Sequence, residues 1–326
     1  MSSRPPLLFI FGGGDEADQV ARSGARTYLK GSTDLGRLLP DTVVRHRLVV
    51  TPDFFRRTLK PDLGGYPVIA NFITEAEHNA KILGGLQGFL EGLSARIINP
   101  PAAVLRSTRD QVAALLAGID GLIAPKTVRL YGDQPDMAAR ALAGACDEPP
   151  IILREAGTHG GKIIGLFDSI EGAMGAVERG KEYIATHFVD FRSEDGLYRK
   201  FRVFFIGRRR IQRHLLISDS WSVHGHARTE FMAPRPELIA EERAMFESDP
   251  PFSPQIEEVF DVVRSRMPLD FFGMDFALTR DGNVVLFEAN ATMSFMPNLF
   301  VPEFDYLRRC FAPAQAAFME LLGLHE

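Results

Sequence analysis

The stretch Leu269–Ser294, LDFFGMDFALTRDGNVVLFEANATMS, decides how the rest of the chain is read. Two apolar runs, Phe271–Thr279 and Asn283–Asn290, flank a polar turn. Asp281-Gly282 is the dipeptide favoured in two-residue hairpin loops, where both central positions take positive φ. A loop of that length pairs Arg280 with Asn283 and Thr279 with Val284, and counting back sets Asp275 directly opposite Glu288. Directly opposed residues share a face with Cβ atoms roughly 4.5–5.5 Å apart, so two carboxylates there repel unless a cation sits between them. Asn290 points the same way and adds a neutral oxygen. Hard oxygen donors of this kind suit Mg²⁺ or Mn²⁺ shared with the phosphate oxygens of a substrate. The alternative is a solvated surface hairpin, but the flanking Met274, Phe276, Phe287 and Ala289 belong to a buried one.

Working outward, 326 residues allow two or three units on a prior of about 100–200 residues per domain. Apolar residues at 45% and charged residues at 24% describe an ordinary globular chain able to bury a core. A net charge of −5 gives no reason to expect nucleic acid as a partner. The longest apolar runs are strand-sized, so no membrane span is expected, and MSSRPPLLFIFGGG is too short in its apolar part for a signal peptide. Cys146 and Cys310 make no disulfide framework, which fits a reducing cytoplasm.

The first hundred residues alternate strands (Leu7–Phe11, Val43–Val50, Pro67–Ile73, Ala95–Asn99) with a helix over Glu75–Leu93, a pattern that implies a parallel sheet. Gly12-Gly13-Gly14 after the first strand reads as a tight turn or as a phosphate loop, and Asp15–Pro40 has no clear reading. Asn99-Pro100-Pro101 marks the first boundary. Ser107 with Asp110, and Asp168 with Glu171, read as capping boxes of two helices. Between them, Pro150–Gly165 is strand, glycine-rich loop and strand, with Arg154 and Lys162 on either side of Gly157, Thr158, His159, Gly160 and Gly161. Glycines there allow close backbone approach to phosphate oxygens, although a plain hairpin is the alternative. Tyr198–Ile206 alternates cleanly, so Lys200, Arg202 and Phe204 share a face. Asp219–Arg228 gathers the only tryptophan with His224 and His226, a pair better suited to lining a pocket than to holding zinc. Ser253-Pro254 opens a helix, and another closes the chain at about Pro313–Leu322.

These residues resemble the ATP-grasp superfamily, and within it the carboxylate–amine ligases typified by glutathione synthetase and the ribosomal-protein glutamate ligases. The resemblance runs from about Ile97 to Ala291 and is most specific at Gly273-Met274-Asp275-Phe276 and Phe287-Glu288-Ala289-Asn290. It implies an α/β chain, α+β in its catalytic part: a Rossmann-like domain over 1–99, a central lobe with the flap over 100–189, and a C-terminal lobe with the metal site over 190–326. It implies ATP and Mg²⁺ as cofactors, with Asp275, Glu288 and Asn290 as metal ligands. The Gly157–Gly161 flap with Arg154 and Lys162 would cover the phosphates. Thr186-His187-Phe188-Val189 would bind the adenine edge, and Arg202, with Arg213 second to it, would stabilise an acyl phosphate. Small-molecule or peptide carboxylates and amines are the implied partners, and a homo-oligomer is compatible. Departures are Arg154-Glu155 where a Lys-Pro pair is usual, Arg109 and Gln111 where a lysine is usual, and a ribose-binding acid with no clear counterpart near Lys200, for which Asp190, Glu194 and Asp195 are the candidates. A nucleotide-binding regulatory module and a phosphotransferase are the alternatives to a ligase.

Overall fold

A computed structural model describes residues 6–13, 20–23, 26–29, 33–145, 149–157, 162–296 and 302–324. Cys146 and four flap residues (Thr158, His159, Gly160 and Gly161) lie outside them.

Strands β1 (Leu7–Gly12), β4 (Arg45–Val50), β5 (Val68–Asn71) and β6 (Arg96–Ile98) form an all-parallel sheet in the order β4-β1-β5-β6. The short pair β2 (Val20–Ser23) and β3 (Arg26–Leu29) stands apart from it. Helix α1 spans Pro52–Arg56 and α2 spans Ala80–Leu90, so the predicted helix from Glu75 starts five residues late. Glu75 turns its carboxylate onto the Glu77 and His78 backbone N–H groups, holding Thr74–Asn79 as a loop beyond the C-terminal end of β5. Ligands are commonly bound at such strand ends.

The second sheet, β10-β9-β11-β8, is antiparallel and holds β8 (Thr127–Tyr131), β9 (Ile151–Glu155), β10 (Ile163–Phe167) and β11 (Glu182–His187). Helices α5 (Pro135–Ala145) and α6 (Ile170–Gly175) cover it around a small core of its own that includes Leu130, Leu142, Leu153 and Tyr183. The α6 cap is Ser169, which accepts from the Gly172 N–H, and not Asp168.

The third sheet runs β13-β12-β14-β15-β7, with β12 (Tyr198–Ile206), β13 (Arg209–Ser218), β14 (Phe271–Leu278) and β15 (Val284–Asn290) antiparallel to one another. Its edge strand β7 (Leu122–Ile123) pairs parallel with β15. Segment 100–123 also holds α3 (Pro101–Leu105) and α4 (Arg109–Leu116), and α4 packs on both β15 and β8. Among the described residues one buried cluster spans the first and third sheets and a second belongs to the second sheet. Asn99 stitches the first and third sheets together: its side chain accepts from the Asp270 N–H at 2.6 Å and donates to the Phe271 carbonyl at 3.0 Å. Helices α7 (Pro236–Glu247), α8 (Pro254–Arg266) and α9 (Phe311–Leu321) complete the packing.

One face of the third sheet is aromatic. Phe201 stacks on Phe276, and Phe252 and Phe260 pack edge-on against them. Burying these rings fixes which face of β12 and β14 turns inward, because side chains alternate along a strand. The charged residues then have only the opposite face.

Candidate functional site

On that face four residues stand in one row across four strands. His214 pairs with Arg202, Arg202 with Asp275, and Asp275 with Glu288. The opposition of the two carboxylates is as the hairpin count requires, but it arises through two departures that cancel. Gly282 alone takes positive φ, and its N–H bonds to the Thr279 carbonyl, so the loop has three residues and Leu278 pairs with Val284. A bulge at Phe287 then restores the register, since Phe276 pairs with Leu286 while Asp275 pairs with Glu288. A second bulge, at Arg213, sits at the same level of β13. Bulges bend strands and re-aim side chains beside functional sites, and this pair brackets the charged row.

Asp275 is 1% exposed. Arg202 grips it through Nε to Oδ1 at 2.5 Å and Nη2 to Oδ2 at 2.8 Å, and Lys200 Nζ lies 3.2 Å from Oδ2. Burial alone would raise its pKa, but Arg202 and then Lys200 hold the carboxyl well below the usual carboxylate range. Glu288 pairs with the Arg109 guanidinium, which also donates to the Phe287 carbonyl at 2.7 Å. Arg109 comes from the first turn of α4, where Asp110 turns to Arg129 at 3.1 Å, and Thr108 is the N-cap residue. No capping box of Ser107 with Asp110 forms; the Ser107 hydroxyl donates to the Val104 carbonyl instead. Arg154, on β9, is pushed down to about 10 by burial and by the nearby Arg109.

Two cavities meet at this row. The first is lined by apolar Ile152, Ile163, Phe188, Val189 and Leu286, together with Trp221, His224, Lys200 and Asp275. Trp221 meets Phe188 edge-to-face at 5.6 Å between ring centres. His187, Phe188 and Val189 also line it, and the His187 and Phe188 N–H groups donate to the Lys126 and Pro150 carbonyls. The second cavity, about 300 Å³, is polar and is lined by Thr74, Glu75, Glu77, Glu155, Arg202, Asn290, Thr292 and Ser294 among others. Arg109, Arg154 and Glu288 line both cavities and form the wall between them.

The loop after β15 closes the second cavity. Asp34, from the stretch of the N-terminal region that has no clear sequence reading, accepts from the Ser294 hydroxyl at 2.8 Å and from the Phe295 and Met296 N–H groups at 2.8 and 2.9 Å. Arg213 donates from Nε to the Phe295 carbonyl at 2.5 Å and lines neither cavity. Burial, with Arg202 and Arg228 close by, pushes it down to about 10.

As arranged, the three expected metal ligands do not fit a resident ion. Both Asp275 oxygens face cationic partners, Glu288 pairs with Arg109, and Asn290 Oδ1 accepts from the Thr292 and Met293 N–H groups at 2.9 and 3.0 Å. Among the described residues no cluster of three or more His, Cys, Asp or Glu side chains could hold a metal.

Solved structures share this architecture across nearly the whole chain. The D-Ala:D-Ser ligase of Enterococcus faecalis aligns with a TM-score of 0.56 at 12% identity, over 98% of this chain and 99% of that one. A RiPP-associated ATP-grasp ligase of Chryseobacterium gregarium, in complex with ADP and a leader and core peptide, aligns at 0.54 and 14%, over 98% and 96%. The D-alanine–D-alanine ligase of Bacillus anthracis, complexed with ATP, aligns at 0.53 and 10%, over 97% and 95%. The chain therefore has the fold of the ATP-grasp ligases. No family model matches it, and no curated protein does.

Proposed function

We propose that the chain is an ATP-dependent ligase that joins a carboxylate to an amine through an acyl phosphate. The observation that carries this is the shared wall. An apolar cleft that carries Trp221 and Phe188 adjoins a polar cavity, and Arg109, Arg154 and Glu288 line both. That layout suits transfer of a phosphoryl group from a nucleotide in the first cavity to a carboxylate in the second.

In the first step a carboxylate oxygen attacks the γ-phosphorus, the bond to the bridging oxygen breaks, and ADP leaves. In the second an amine attacks the acyl carbon, the C–O bond to phosphate breaks, and phosphate leaves with loss of an amine proton. Arg154 and Arg109 hold the transferring phosphoryl oxygens, and the flap with Lys162 covers them. Arg202, in the polar cavity, faces the charge that develops on the adduct; groups aimed at developing charge contribute mainly in the transition state. Arg213 acts on the chemistry only through the loop it holds. The adenine edge falls at His187–Val189 and the base against Trp221 and Phe188. The acids and amines are small molecules or peptide ends, and the setting is the cytoplasm; among the described residues no helix is long and apolar enough to cross a membrane.

Hydroxylamine offered as the amine tests the route. With ATP and an acid that triggers ADP release, a hydroxamate should accumulate. Arg202→Ala should cut its rate by about 10²–10³-fold, as for loss of a charge-stabilising donor, with a much smaller effect on ATP affinity. ADP release without trapped product would transfer the assignment to a phosphotransferase. ATP binding without turnover across a panel of acids and amines would transfer it to a regulatory module.

A further inference from the structure

The first cavity has no carboxylate to spare for a sugar. Among the described residues that line it, the acids are Asp275 and Glu288, and both are held: Asp275 by Arg202 and Lys200, Glu288 by Arg109. Asp190, Glu194 and Asp195, the candidates for a ribose-binding acid, line neither cavity. Asp195 is gripped by Arg199 at 2.9 and 2.8 Å, and Asp190 accepts from the Arg192 N–H at 3.0 Å. An uncharged pair stands in the cavity instead. Ser222 and His224 follow Trp221 on the loop after β13 and line the same walls, with Ser222 Oγ 2.9 Å from His224 Nε2.

A nucleotide runs from base through sugar to phosphates. With the base against Trp221 and Phe188 and the phosphates at Arg154 and Arg109, the sugar falls between them. Ser222 and His224 fit that interval. They adjoin Trp221 along the chain, and the charges of Lys200 and Arg154 act on the His224 ring. A serine hydroxyl beside an imidazole can donate and accept at once, as a vicinal diol requires.

We infer that Ser222 and His224 bind the ribose hydroxyls, so that an uncharged pair on the loop after β13 reads the sugar without a carboxylate. This rests on the first cavity being a nucleotide site. Hydrogen bonds between neutral groups are roughly half as strong as those to a charged one, so the preference for ribose is real but small.

The test titrates the full-length protein by calorimetry with ATP, 2′-deoxy-ATP and 3′-deoxy-ATP, each with Mg²⁺. The wild type should bind each deoxynucleotide about three- to tenfold more weakly than ATP, the size of one neutral hydrogen bond. In Ser222→Ala and in His224→Ala the preference over one of the two deoxynucleotides should vanish, while Ser222→Thr, which keeps the hydroxyl, should retain both preferences. Asp190→Asn, Glu194→Gln and Asp195→Asn should retain them as well. Circular dichroism melting checks that the variants fold, and the wild type with the three acid variants decides if the alanine variants do not. Equal affinity of the wild type for all three nucleotides would overturn the inference. So would preferences that survive both alanine changes, or that disappear with one of the acids; in each of these cases ATP is bound and the ligase reading stands. No ATP bound by the wild type would overturn both.

Discussion

At the residue scale the site is a set of burials made tolerable by partners, and His214 departs from that pattern. It is buried beside Arg202, its Nε2 has no hydrogen-bond partner, and it sits among Arg202, Arg213, Arg228 and Lys200. Burial first, and those four cations next, hold its pKa well below that of an exposed histidine. The unfolded chain therefore takes up a proton as pH falls through about 6.5, and the native state does not. The stability linked to His214 is complete above that pH and is lost below it, by about 1.4 kcal/mol per pH unit until the native pKa is reached. His214→Gln should flatten the fall in urea-unfolding stability between pH 7.5 and 5.5 by that slope, and an unchanged slope would show that His214 is charged in the fold. His224 titrates in the same direction but is common to both proteins, and Asp275, with its lowered pKa, acts only at more acidic pH. The sequence puts Lys200 and Arg202 on one face by alternation alone, whereas it sets Asp275 opposite Glu288 through a loop one residue too short and a strand without its bulge, two differences that cancel. The ends of the row are not legible. Arg109 and His214 arrive through the packing of α4 and through a bulge, and neither leaves a periodic signal.

At the element scale the hairpin of β14 and β15 shows how a correct register can hide two local departures. A three-residue loop and a bulge each shift the pairing by one residue, in opposite senses. Dipeptide preference identifies the turn but not which of the central positions takes positive φ, and nothing in the run VVLFEAN marks Phe287 as the extra residue. Gly273, on β14, is where the sheet meets the loop after β15. A Cβ there would lie 2.7 Å from the Met293 sulfur and 3.1 Å from the Phe204 ring. Gly273→Ala should destabilise the protein by about 1–3 kcal/mol, in the range for overpacking, and should displace Met293 into the polar cavity. Urea unfolding measures the first effect. A rise in KM for the acid or amine, with nucleotide affinity unchanged, measures the second.

At the scale of the whole molecule the N-terminal sheet is a structural part of the site. Asn99 holds its last strand to the start of β14, and Asp34 holds the loop that walls the polar cavity. The alternation of strands and helices makes the parallel sheet legible, but the Asp34 contact joins residues about 260 positions apart, a separation beyond any local pattern. Asp34→Ala leaves two backbone N–H groups without their acceptor, at a cost of about 1–3 kcal/mol for each that stays buried. Its turnover should fall through KM for the acid or amine, Asp34→Asn should restore part of it, and ATP affinity by calorimetry should stay as in the wild type. A loss of ATP affinity in Asp34→Ala equal to its loss of turnover would place Asp34 at the nucleotide instead.

The wall of Arg109, Arg154 and Glu288 bears on how this protein can change over generations. A side chain that borders two compartments answers to two selections, and a substitution that suits one occupant is judged at once by the other. In a deep mutational library these three positions should move as a bloc, each variant shifting the apparent preference for nucleotide and for co-substrate together. Trp221 and Ser294 each border a single compartment and should drift independently. New specificity would then be acquired from the far walls inward, with the partition the last part to change.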